Sequence, residues 1–216
     1  MDKLLTPISI GKMTLKNRVV MAPTSMMLPI DEKIEFLGRI ADGGTSLIYI
    51  GDMGVEQSVL PSDISLMTEK GLDGCRKVID RLHRGGAKVG AQLYLWDYDM
   101  PKLMQMAKDG ATREEMRHEK NKNPCEYISG LSKKRIDEII QNFSAAAKTA
   151  QEIGFDMVQV LGGNLLNSFS SGYTNKREDA FGGDTKGRST LPCAVVQEIR
   201  QKVGQDFPIE YKLAVH

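Results

Sequence analysis

The sequence predicts an α/β domain built on a parallel sheet, and two features of its patterning carry that reading. Short apolar segments alternate with longer stretches of helical periodicity along the 216 residues, as strand–helix–strand crossovers require. The strand-like segments are continuous apolar runs rather than alternating ones, which is how parallel strands buried on both faces look. No Gly-x-Gly-x-x-Gly follows the first strand, which disfavours a Rossmann dinucleotide site, and there is no P-loop. Periodicity alone leaves two architectures, an open doubly wound sheet and a (β/α)8 barrel.

Taken in order, Pro7 to Ile10 and Met13 to Leu15 flank Gly11-Lys12 and read as a small hairpin. Arg18 to Ala22 is the first buried strand, ended by Pro23. Asp31 is the expected N-cap of a helix whose apolar positions Ile34, Leu37 and Ile40 recur at helical spacing, and Gly43-Gly44 closes it. Ser46 to Gly51 is the second strand, Leu72 to Leu82 the next helix, and Lys88 to Leu93 the third strand. The stretch from Tyr94 to Ile128 is polar and rich in methionine and charge, and reads as a partly helical excursion. Ser132 can cap a helix with Ile136, Ile139, Ile140, Phe143 and Ala147 on its inner face, stopped by Gly154. Met157 to Val160 is strand four, followed by a Gly-rich loop from Gly162 to Gly183, a helix from Thr190 to Val203 and a fifth strand over residues 208–214.

Composition narrows the class of partner. Hydrophobic residues make up 41% and charged residues 26%, enough for a sizeable core. Lys plus Arg number 29 against 28 acidic residues, a net charge of +1 that predicts neither nucleic acid nor an acidic membrane surface as a partner. The basic triplet Lys133-Lys134-Arg135 reads as a solvated helix start. The 3 cysteines (Cys75, Cys125, Cys193) and 3 histidines (His83, His118, His216) show neither CxxC nor ligand-type spacing. No disulfide framework and no metal site are expected, and a reducing cytoplasm fits. The start, Met1 to Leu5, lacks the layout of a signal peptide, and no apolar run has the length of a membrane span.

Several segments resemble one family in order along almost the whole chain. Leu15-Lys16-Asn17-Arg18-Val19-Val20-Met21-Ala22-Pro23-Thr24 resembles a first strand of the form LKNRIVMAP. Gly43-Gly44 with Leu47-Ile48-Tyr49-Ile50-Gly51 resembles GGxGLIxTG, and Ala91-Gln92-Leu93 the QL of a third strand. Gly154-Phe155-Asp156 and Leu166-Asn167-Ser168-Phe169 resemble GFDGVEI…LLNQF. The most specific match is Thr174 to Gly183 against TNKRTDEYGG, and Phe207 to Leu213 is similar to the fifth strand. The family is that of Old Yellow Enzyme and 2,4-dienoyl-CoA reductase. The resemblance implies one domain over residues 1–216: a (β/α)8 barrel of the TIM type, truncated after about five βα units, where a complete barrel takes about 250 residues.

The resemblance also implies FMN as cofactor, NAD(P)H as hydride donor and a small-molecule substrate, an activated alkene or enoyl thioester. It assigns the pyrimidine edge of the flavin to Thr24 and Gln92, with backbone from Ala22 and Pro23 and with Gly51 in the same pocket. Gln92 can donate and accept at once, which suits a carbonyl beside a ring N–H. Lys212 stands where the family has arginine and would bring positive charge to the ring as a point charge rather than a planar fork. Each has a plainer reading: Pro23 as a strand end, Gln92 as a satisfied polar residue in a barrel layer, Lys212 as a lysine snorkelling from the chain end. Thr174 to Gly183 is expected to be structural, its charges tying down the long loop after strand four.

The chain departs from the family at three places. Where many members carry His-x-x-His or His-x-x-Asn and then Gly-Tyr, it has Leu161-Gly162-Gly163-Asn164. Leu161 cannot hydrogen-bond and leans toward the dienoyl-reductase-like branch. Asn164 matches the second position and is the candidate for holding a substrate carbonyl. The tyrosine is missing, and Tyr173 or Tyr94 is the candidate proton donor. After strand three, QLxHxGR is replaced by Gln92-Leu93-Tyr94-Leu95-Trp96-Asp97. Finally, the sequence stops at His216, before strands six to eight and the phosphate-binding loops of such barrels. That leaves two functional alternatives: an FMN-dependent oxidoreductase domain, or a non-catalytic partial barrel whose open sheet edges invite self-association. A flavin-free aldolase-type barrel would need Lys212 as its Schiff-base lysine.

Overall fold

A computed structural model describes residues 3–57, 62–121 and 124–213; Met1, Asp2, Ala214 and His216, which enter the sequence expectations, lie outside them. A two-stranded antiparallel hairpin comes first, β1 (Ile8–Ile10) and β2 (Met13–Leu15). Among the described residues five parallel strands follow: β3 (Val20–Met21), β4 (Leu47–Gly54), β5 (Lys88–Tyr94), β6 (Met157–Gly162) and β7 (Ile209–Leu213). They lie side by side in chain order, β3-β4-β5-β6-β7. That order decides between the two architectures, because a doubly wound sheet reverses its strand order at a switch point. Here every crossover advances in the same direction, as in a curled (β/α)8 half-barrel.

Four helices make the crossovers: α1 (Ile30–Asp42), α2 (Glu69–Arg84), α6 (Lys133–Ile153) and α9 (Thr190–Val203). The apolar stripe on α6, with Ile136, Ile139, Phe143 and Ala147, is buried in one cluster with Ile48, Ile50, Val89, Ala91, Leu93, Val158 and Val160 of the strands. Ser132 caps α6 by accepting from the Arg135 N–H, and Gly154 ends it at φ 107°. Such a left-handed residue favours glycine. The other parity of the strands faces the barrel interior. There Leu47, Tyr49 and Met157 cluster with Met13 and Leu15 of the hairpin, which floors the N-terminal end. Beside that floor, Asp156 accepts from His83 at 2.7 Å, Lys88 at 2.8 Å and the Val89 N–H at 2.8 Å.

Three sequence expectations need correction. The first strand, expected as a buried run from Arg18 to Ala22, is only Val20–Met21 and lies at the sheet edge with Val20 45% exposed. The N-cap of α1 is Pro29, in extended conformation and without a side-chain cap, and Asp31 sits inside the first turn, where its charge complements the helix dipole. The Gly-rich segment after β6 is not all loop: α7 (Asn164–Ser170) buries Leu165, Leu166 and Phe169, and α8 (Thr185–Arg188) precedes α9. The excursion after β5 folds as α3 (Met100–Lys108), α4 (Arg113–Lys120) and α5 (Pro124–Gly130).

Candidate functional site

The C-terminal ends of the strands, where barrels place their chemistry, carry three features. The first is a bulge in β4. Pairing with β5 runs through Ile50↔Ala91 and resumes at Met53↔Leu93, so Gly51 and Asp52 oppose Gln92 alone. Asp52 is left at φ 61° and accepts from the Ser25 hydroxyl at 2.8 Å. A β-carbon at Gly51 would stand 3.4 Å from the backbone N and O of Thr24. The bulge thus brings Gly51 beside the Ala22-Pro23-Thr24 turn that leaves β3.

The second feature is a polar row across the interior face. Gln92 pairs in register with Gln159, and Gln159 with Glu210, so three adjacent strands present one layer. Gln92 Nε2 donates to Gln159 Oε1 at 2.5 Å, and Gln159 Nε2 donates to Glu210 Oε1 at 2.7 Å. The Tyr49 hydroxyl donates to the other Glu210 oxygen. Burial first, then the hydrogen bond and charge of Glu210, push the Tyr49 phenol far above the usual tyrosine range. Its ring reaches Glu210 by crossing Gly90, where a β-carbon would lie 2.5 Å from two ring carbons. Lys212 follows Glu210 by two residues on the same face and is exposed.

The third feature is an aromatic wall at the mouth of β5. Tyr94 and Trp96 meet edge to face at 5.0 Å between centroids, and Trp96 and Tyr98 stack at 5.4 Å with 19° between planes. Lys120 Nζ lies 5.2 Å from the Trp96 centroid and 5.4 Å from that of Tyr98, within cation–π range. A cavity runs along this wall, bordered also by Gly54, Tyr127 and Arg135. Arg135 is held by both oxygens of Glu56 at 2.7 Å, and Asn142 donates to the same carboxylate at 2.9 Å. Burial raises the Tyr94, Tyr98 and Tyr127 phenols above the usual tyrosine range.

The sequence candidates fall as follows. Ala22, Pro23, Thr24 and Gly51 gather at the β3–β4 end, Gln92 is buried on the interior face, and Lys212 occupies the same face of β7. Asn164 begins α7 directly after β6, at φ 48°. Tyr173 is 84% exposed, whereas Tyr94 borders the cavity. The Thr174–Gly183 segment is a latch. Asn175, buried, donates to the Phe169 and Phe181 carbonyls at 2.7 Å each, and Arg177 donates to the Ile128 and Leu131 carbonyls at 2.6 and 2.9 Å. Sequence reasoning missed Tyr49, Gln159, Glu210, Trp96, Tyr98 and Lys120. The signals were there: Gln159 interrupts an apolar strand, and aromatics fall at every second residue from 94 to 98.

Among the described residues, no cluster of three or more His, Cys, Asp or Glu could hold a metal ion. No helix of the described residues is long and apolar enough to cross a membrane. The donor set fits a flavin ring: an amide able to donate and accept, a backbone turn and glycine allowing close approach, and a cation on the same face.

Known proteins share this arrangement of chain. The family model for the NADH:flavin oxidoreductase / NADH oxidase family matches residues 3–216. A bilirubin reductase of Clostridium symbiosum is 38% identical over 218 residues, covering 99% of this chain and 58% of its own. A second bilirubin reductase, from Mediterraneibacter gnavus, is 31% identical over 222 residues, covering 99% of this chain and 34% of its own. The crystal structure of Old Yellow Enzyme from Pichia sp. AKU4542 superposes with a TM-score of 0.80 at 25% identity, over 98% of this chain and 59% of that one. The chain therefore spans about 58% and 34% of the lengths of those two reductases.

Proposed function

This chain belongs to the NADH:flavin oxidoreductase / NADH oxidase family, whose flavin is FMN and whose hydride donor is NAD(P)H, and we propose that it forms the flavin-ring half of such an enzyme, acting on a small, conjugated, activated alkene or enoyl thioester. A bound FMN would supply the hydride-transfer chemistry that links NAD(P)H to the acceptor. Thr24, Gln92 and the Ala22–Pro23 backbone hold the polar edge of the ring, Gly51 permits its close approach, and Lys212 supplies positive charge. Asn164 orients the carbonyl that activates the acceptor. Of the two candidate proton donors, Tyr94 has the stronger support because it borders the cavity, while the Tyr173 ring faces solvent. The Tyr94–Trp96–Tyr98 wall suits a planar conjugated acceptor, which can stack there, and the name of the bilirubin reductases fits that class.

The observation that carries the reading is that Gln92 and Lys212 share the interior face of the strands and Gln92 opposes the Gly51–Asp52 bulge beside Thr24, in a chain whose residues 3–216 the family model matches. FMN titrated into the purified chain should lose fluorescence on binding. Gln92→Ala should weaken that binding about fivefold to tenfold, the worth of a buried hydrogen bond. Equal affinity for the two proteins would remove the assignment.

A second reading has its own support. Among the described residues, β3 and β7 each pair on one side only, and Leu213 on β7 is 67% exposed. Open edges template pairing with other chains. On this reading residues 1–216, taken by themselves, self-associate, are colourless and turn over little NAD(P)H. A size-exclusion run with an absorbance scan separates the two, since a yellow, monodisperse monomer excludes the second.

A further inference from the structure

We propose that Glu210 is a positioning residue that dictates which way the Gln92 amide points, through Gln159. The inference rests on the reading of Gln92 as a flavin contact and adds what makes that contact directional.

A glutamine side chain has two ends of similar shape and opposite polarity. Left alone, Gln92 could present either its oxygen or its NH2 to the interior. An ionised carboxylate has no such freedom, because it can only accept. Glu210 receives the Tyr49 hydroxyl on one oxygen and Gln159 Nε2 on the other, at 2.7 Å. Gln159 therefore has to turn its NH2 toward β7, which leaves its oxygen facing β5. Gln92 meets that oxygen with Nε2 at 2.5 Å. Its own oxygen is then left on the side away from Gln159.

Reversing any amide in this row would set oxygen against oxygen, or NH2 against NH2. Gln92 is 8% exposed and Gln159 3%, so water cannot make good the lost bonds at low cost. Among the described residues no buried side-chain polar atom is without a partner. The in-register pairing of β5, β6 and β7 keeps the three side chains in one layer, so the polarity imposed at Glu210 passes along the row. Tyr49 reinforces it from below. Its raised phenol stays protonated and can serve Glu210 only as a donor.

The consequence for the site is specific. With its NH2 committed on one hydrogen, Gln92 offers an acceptor oxygen and one remaining N–H. That pair matches a ring edge on which an N–H adjoins a carbonyl. The flipped amide would offer the reverse order. Glu210 and Gln159 need not touch the flavin to select this orientation.

The test compares the wild-type chain, Glu210→Gln, and the Gln159→Glu/Glu210→Gln double variant. The single variant removes the obligate acceptor and lets the row run either way. The double variant moves the carboxylate one strand closer to Gln92, where it again forces the Gln92 NH2 toward β6. Without flavin, the side-chain amide resonances of Gln92 should be single in the wild type and the double variant, and doubled or exchange-broadened in Glu210→Gln. With FMN titrated in, Glu210→Gln should bind about fivefold more weakly, and the double variant should return to within about twofold of wild type. An unchanged Gln92 resonance in Glu210→Gln overturns the inference. So does a failure of the double variant to restore it while the protein remains folded. If the resonances respond as expected but Gln92→Ala also leaves FMN binding unchanged, the flavin reading is what has failed. If Gln92→Ala weakens FMN binding and Glu210→Gln does not, the positioning role is wrong and the flavin reading stands.

Discussion

The two faces of the sheet are made by the same strands and carry opposite chemistry. The outer face is Ile48, Ile50, Val89, Ala91, Leu93, Val158 and Val160, dry and packed under four helices. The inner face has an apolar floor at Leu47, Tyr49 and Met157 and above it the row Gln92–Gln159–Glu210. Alternation along each strand permits this. Stability is concentrated on one parity and recognition on the other, so residues on the inner face can change without dismantling the helix layer. A typical buried leucine has no geometry to keep beyond filling its space. Each member of the polar row has both a place and a polarity.

That division can be broken from either side. The largest effect belongs to the outer layer. Phe143, fully buried on α6, should cost about 3–5 kcal/mol when cut to alanine, read as a lowered urea midpoint. A loss below about 1 kcal/mol would mean that the helix layer is not where stability resides. The inner face should respond less in stability and more in its tyrosine. Gly90→Ala puts a β-carbon 2.5 Å from the Tyr49 ring. The expected cost is about 1–3 kcal/mol of overpacking, and the displaced Tyr49 should lose Glu210 and titrate nearer the ordinary value of about 10. Ultraviolet titration of the folded variant checks this, and an unaltered tyrosine profile would show that the ring does not depend on the missing side chain.

The smallest perturbation is chemical. Burial pushes the Cys75 thiol up to about 12, while Cys193 is exposed. At pH 8 a thiol reagent should modify Cys193 in the native protein and reach Cys75 only on unfolding. The linkage has a definite sign. Between the unfolded value of about 8.5 and the folded value, the native state keeps a proton that the unfolded chain releases, so this group lowers stability as pH rises through that window and contributes nothing below it. Rapid modification of Cys75 at pH 8 would place it outside the dry face.

How far this could be read from sequence follows the same division. The outer face announces itself, because apolar runs such as 47–50 and the spacing of Ile136, Ile139 and Phe143 depend on local periodicity alone. Gly154 and Ser132 mark the ends of α6 by residue type. Where local signals compete, the reading slips. Asp31 looks like an N-cap, but the chain enters α1 through extended Pro29. Gly162-Gly163 hides the helical spacing of Leu165, Leu166 and Phe169. The Thr112/Glu115 capping box of α4 was legible within a segment read only as an excursion. Gln159 stands out within its apolar strand, but its pairing with Gln92 and Glu210 was not legible, since the row exists only once three distant strands are set in register. Thr24, Gln92 and Lys212 came from motif resemblance, which can name a residue without saying what orients it.

The hairpin floor has a consequence for the order in which the molecule is assembled. Every strand of the sheet pairs with its neighbours in the chain, so the sheet can lengthen one unit at a time as the polypeptide leaves the ribosome. The floor does not follow that schedule. Met13 and Leu15 are synthesised well before Met157, which arrives with β6, yet they share its cluster. Until then they have Leu47 and Tyr49 for company and a vacant flank. Closing so long a loop adds little entropy beyond a shorter one, but it takes time. A segment made before the sheet is therefore finished only with β6, and a nascent chain halted before β6 would show β3, β4 and β5 growing under their helices over an unsealed base.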